Sequence, residues 1–116
     1  MNNSISVSKK YIEILDQVFE IEKKLDSISE PNSIGRNVNR LKEYFEYLMP
    51  DGGLIYQNPI GEKFNETRTD LEASIAGNSA ENLVVTEVIK PIIRLRTNTG
   101  VTTIVRKGVV VVESKN

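Results

Sequence analysis

The side chains with chemical reach in this chain fall into two groups. The first is a run of carboxylates, Glu62, Glu66, Asp70 and Glu72, with the Tyr56 phenol and several threonine hydroxyls nearby in sequence. Paired carboxylates do acid–base chemistry when their surroundings drive their pKa values apart. This run lies in a very polar stretch, where charges are ordinarily solvated, and it brings no phosphate loop or dinucleotide fingerprint. The second group is Lys90, Ile92, Arg94 and Arg106, cations mixed with apolar surface along two β-branched runs. That mixture suits protein recognition, because arginine is over-represented among residues that dominate binding energy. The competing reading of Arg106 is a solvated strand arginine in a surface pair worth at most about 1 kcal/mol.

Composition narrows the chemistry further. The 116 residues include no histidine and no cysteine, and 15 basic residues stand against 16 acidic ones. Without histidine the chain lacks the commonest general base at neutral pH and the commonest metal ligand. Without cysteine it has no thiolate and no disulfide. The expectation is therefore a non-enzymatic protein with no catalytic residues, no metal and no cofactor. The near-cancelling, dispersed charges give no field for nucleic acid or an anionic membrane. "MNNSISVSKKYIEIL" has no apolar signal core, and no run approaches a membrane span, so the expected compartment is the cytoplasm. Asn65-Glu66-Thr67 fits a glycosylation sequon, which without a secretory signal reads as coincidence.

The elements that position these residues change character near residue 50. Before it, apolar residues fall at Tyr11, Ile14, Val18, Ile21, Leu25 and Ile28, then at Ile34, Val38, Leu41, Phe45 and Leu48. Alternating gaps of 3 and 4 are the spacing that keeps one helical seam facing a partner. Ser8 can cap the first helix, and Pro31 fits the turn between the two. Residues 8–50 thus read as a helical hairpin. Ile12, Leu15 and Phe19 add a second apolar edge, more than one neighbouring helix covers. Two hairpins joined as a four-helix bundle across a twofold axis would bury both. The interface would then hold Ile14, Val18, Ile21, Leu25, Ile34, Val38, Leu41 and Phe45. The alternative is that both helices pack on the chain's own β region.

Residues 51–116 read as a small, mostly antiparallel β domain of about four to six strands, giving an α+β fold. "PDGG" is a strong turn. Strands are expected at Leu54 to Gln57, Asp70 to Ile75, Leu83 to Leu95 with a bend at Pro91, and Val101 to Glu113 with an interruption at Lys107-Gly108. A two-residue alternation places Glu87, Ile89, Pro91, Ile93 and Leu95 on the core face. Val88, Lys90, Ile92, Arg94 and Arg96 then face outward, so Lys90, Ile92 and Arg94 would form a docking stripe beside Arg106. Phe64 and Pro91 read as structural, and Gly61 as a turn glycine.

The order "PIGEKFNE", "LEASI", "VVTEVIKPIIRL" and "TIVRKGVVVV" resembles the C-terminal β domain of the GrpE family, nucleotide exchange factors of DnaK-type chaperones. Gly61, Phe64, Glu87, Val88, Lys90, Pro91, Leu95, Arg106, Val110 and Val112 stand where that family's pattern places its residues. The chain departs from it in having no histidine, Ile92-Ile93 in place of a glycine and an aromatic, and about ten residues before the first helix where the family has a long stalk. The resemblance implies a short or divergent member, a homodimer whose β domain binds the chaperone's ATPase domain. There it would hold a lobe rotated outward so that ADP leaves, an effect limited by the differential affinity for the open state. The alternative is a dimeric interaction adaptor with this kind of fold, a different partner and no exchange activity.

Overall fold

The computed structural model describes residues 7–28 and 33–115. The turn expected at Pro31 lies outside the described residues. Helix α1 spans Lys9–Asp26 and α2 spans Ile34–Glu46. Ser8 caps α1 as its type suggests, its hydroxyl accepting from the Lys10 backbone N–H at 3.3 Å. Six strands follow: β1 (Gly52–Gln57), β2 (Leu71–Ala76), β3 (Leu83–Lys90), β4 (Ile92–Thr97), β5 (Thr102–Arg106) and β6 (Gly108–Ser114).

The strands form two three-stranded sheets, ordered β1-β4-β5 and β2-β6-β3. Pairing is antiparallel except between β2 and β6, which run parallel. The α+β class is as the sequence implies, but the long apolar arms are not single strands. The first arm changes sheet at Pro91 and the return arm changes sheet at Lys107. Proline has no N–H to give a ladder, so it suits a corner better than a strand interior. Across the corner the two arms stay side by side: Lys90 pairs with Val109 in one sheet, and Ile93 with Arg106 in the other.

The expected face alternation holds after the corner, where Pro91, Ile93 and Leu95 are buried, and fails before it. Val88 and Ile92 are buried, whereas Glu87 and Ile89 are exposed. Register shifts lie between Val85 and Glu87 and between Val88 and Lys90, and each moves later side chains to the opposite face. Ile92 and Ile93 are both fully buried because each serves a different core. Ile92 packs with Phe19, Leu71, Val85, Val88, Val110 and Val112. Ile93 packs with Leu15, Phe45, Leu54 and Leu95.

Both cores therefore mix helix and strand residues. Leu15 and Phe19, the second apolar edge of α1, are covered by the chain's own sheets, and Ile12 packs against the same core. Burying a side chain of this size stabilises by about 1.5–3 kcal/mol. The Phe19 ring also meets Tyr56 edge to face at 5.7 Å. Residues 8–50 and 51–116 are thus joined through shared cores.

Two glycines permit close approaches, one at this joint and one within the β region. A Cβ on Gly53 would lie 1.9 Å from the Glu46 carbonyl oxygen, so only glycine lets β1 pass beneath the end of α2. A Cβ on Gly108 would lie 2.9 Å from Leu71 and 3.0 Å from Ile92, which is the close backbone approach that a glycine at this point of the return arm suggests.

Candidate functional site

The helical seam divides in two. Val18, Val38 and Phe45 are buried within the chain. Ile14, Ile21, Ile34 and Leu41, at the alternate seam positions, are 37–50% exposed, and Leu25 is half-buried. The division follows from packing: α1 lies on the sheets through Leu15 and Phe19, α2 leans against α1 and β1, and the outer side of both helices is left uncovered. Tyr11 and Tyr44 extend the uncovered face, with Tyr11 set edge-on to Phe45 at 6.3 Å. Large apolar side chains left exposed along a pair of packed helices are a common mark of a protein contact.

The expected docking stripe is not one surface. Ile92 has no exposed area and offers nothing to a partner in this conformation. Arg94 is turned into an ionic network, its Nη2 donating to Asp70 at 3.2 Å and its Nε to Gln57 at 3.1 Å. Lys90 is exposed and lines an open groove of about 480 Å³ between α1 and the β3–β4 corner, with Glu13, Asp16, Glu87, Ile89 and Pro91. Arg106 lies beside that groove, held by helix α1. Its Nη1 and Nη2 donate to the two Asp16 carboxylate oxygens at 2.5 and 2.8 Å, and Nη2 also donates to the Pro91 carbonyl at 2.7 Å. Lys23 makes a second link from α1 to the corner, donating to the Val88 carbonyl at 3.2 Å.

The carboxylate run does not assemble as an acid–base pair. Arg68 grips Asp70 through two hydrogen bonds, of 3.0 and 2.9 Å, and reaches Glu62 at 3.1 Å. These bonds to Arg68 hold the Asp70 carboxyl below its ordinary range, outweighing the opposing effect of partial burial. Asp70 thus ties the 62–70 loop to β4 through Arg68 and Arg94. Glu66 and Glu72 are exposed. Among the described residues no cluster of three or more carboxylates could hold a metal ion.

Tyr56 serves a comparable joint. Its hydroxyl donates to Glu22 at 2.7 Å, while Lys42 donates to the other oxygen of Glu22 at 3.1 Å and sits 5.2 Å from the phenol ring. Burial first, and then the Glu22 hydrogen bond, push the phenol far above its usual pKa, so it stays a donor. Glu22, Lys42, Arg68 and Asp16 escaped the sequence reading. Nothing local signals that Asp16 will meet an arginine 90 residues away. Comparison with family models, curated proteins and solved structures gave no match.

Proposed function

We propose that this chain is a homodimeric co-chaperone of the exchange-factor kind. It binds the ATPase domain of a DnaK-type chaperone in the cytoplasm through its β domain and promotes ADP release. The observation that carries the reading is the uncovered half-seam on a helical hairpin set directly against a six-stranded β unit. Two such hairpins across a twofold axis bury Ile14, Ile21, Ile34 and Leu41 in a four-helix bundle, with crossing angles of about 20°. The β units then stand on a rigid double support, which suits a part that must hold a receptor open. The motif residues Gly61, Phe64, Pro91, Arg106, Val110 and Val112 support it as resemblance. Arg106 and Lys90, adjoining one groove, are the contacts it favours.

Such a protein acts by binding an open state better than a closed one. Linkage requires that ADP weaken its binding by the same factor. The test mixes the protein with a DnaK-type ATPase domain loaded with fluorescent ADP and follows release. Faster release at micromolar protein supports the reading; binding without acceleration rejects exchange, and no binding favours the second reading. That second reading is a dimeric adaptor with another partner. The burial of Ile92 and the internal engagement of Arg94 and Arg106 favour it, since they shrink the cationic stripe on which chaperone binding would rest.

A further inference from the structure

We infer that Asp16 is an internal competitor for the Arg106 guanidinium, so that helix α1 keeps the β-domain contact latched until a partner carboxylate displaces it. This rests on the reading of Arg106 as a partner contact and deepens it. The pair joins the helical hairpin to the return arm across the β3–β4 corner, and each side chain keeps about a fifth of its surface exposed, 22% for Arg106 and 20% for Asp16. A partner at the groove can therefore reach the pair from its open side, where Asp16 and Pro91 are lining residues.

The latch is built to open. The guanidinium spends its Nη atoms on Asp16 and on the Pro91 carbonyl, while its Nε is buried and bonds nothing. A buried donor without an acceptor weakens the closed arrangement. Helix α1 does not depend on the pair for its place, because Leu15 and Phe19 are each 1% exposed and anchor it to both cores. Releasing Asp16 thus frees Arg106 without undocking the helix. The partner this fits is a protein surface presenting an acidic side chain to the corner, where it takes the fork from Asp16 with the same bidentate geometry.

The energetics are those of a competing state. A contact locked away for most of the time lowers apparent affinity by the unlocked fraction. An exposed ion pair accounts for up to about a fivefold change in an equilibrium, and this bidentate pair, about four-fifths covered, competes at that scale or above it. The experiment measures binding of a DnaK-type ATPase domain to the wild-type dimer and to Asp16→Asn and Asp16→Ser. Cooperative thermal unfolding is the check that both variants fold. The expected result is about two- to fivefold tighter binding by both variants, and Arg106→Gln loses that gain when combined with either. Wild-type binding that Asp16→Asn and Asp16→Ser leave equal or weaken overturns the latch and leaves the exchange-factor reading standing. No binding by wild type or variants rejects that reading, and the latch with it.

Discussion

The two halves of the helical seam have one spacing and opposite fates. Val18, Val38 and Phe45 are sealed inside the chain, whereas Ile14, Ile21, Ile34 and Leu41 lie open, although all seven fit one heptad pattern. The difference teaches that a seam can be shared between two tasks. Its inner half belongs to the monomer: Phe45 closes the core of Leu15, Leu54, Ile93 and Leu95, and Val18 and Val38 are buried within the chain. Its outer half is exposed and is the part that the proposed second copy would use. Stability should therefore answer to one half and assembly to the other.

The sharpest way to break this comparison is a matched pair of variants. Phe45→Ala removes a buried ring that also meets Tyr11, and should cost about 3–5 kcal/mol in urea unfolding. Ile21→Lys with Leu41→Lys should leave the unfolding free energy of the single chain within about 0.5 kcal/mol, as surface changes do. On the proposed homodimer, sedimentation should show two chains for the wild type and one for this variant. A double-lysine variant that unfolds as readily as Phe45→Ala would erase the distinction between the halves.

The next effect tests the joint between α2 and β1. Gly53→Ala drives a methyl into the Glu46 and Phe45 carbonyls and should lower stability by at least the ~1–3 kcal/mol typical of overpacking. Gly35→Ala, where an added Cβ meets nothing within 4 Å, is the control and should be neutral or slightly stabilising.

A smaller effect concerns the acid limb. Because the folded protein lowers the Asp70 pKa, the unfolded chain binds more protons just below the ordinary carboxylate range. The contribution of Asp70 is present above its unfolded pKa and is lost as pH falls through the folded value. Asp70→Asn should cost about 1–2 kcal/mol at pH 7, and the difference from wild type should shrink towards pH 2. Denaturant midpoints measured against pH check both parts.

The smallest effect is at the mouth of the Tyr56 joint. Lys42 and Glu22 are 38% and 31% exposed, so Lys42→Met should change stability by less than about 1 kcal/mol, and by still less in 1 M salt. A larger loss would mean that the Lys42 contacts, rather than the burial of Phe45 with Leu15 and Leu54, hold α2 against α1 and β1.

Much of the architecture was legible because it is written in short periods. The 3-and-4 gaps located both helices, Ser8 marked where the first begins, and β-branched runs located the two long arms but not their division into four strands. The candidate site was far less legible. Arg106 could be singled out by type, but its partner Asp16 could not, and Ile92, on the strand face opposite Ile93, reads as outward because nothing local shows that a second core covers that face. Arg94 lies opposite the buried Ile93 and Leu95 as the alternation has it, but Asp70 claims it across 24 residues. Local periodicity predicts which side of a strand a residue takes only while the strand stays unbroken.

The sequence by itself determined the kinds of element, their order, and the absence of histidine and cysteine chemistry, since these depend on residue type and near-neighbour spacing. Only the tertiary structure decided which half of the seam lies open, where the arms turn from one sheet to the other, and which carboxylate holds each arginine. Those choices depend on which surfaces meet once the chain is packed, and distances of 24 to 90 residues leave no trace in any local pattern.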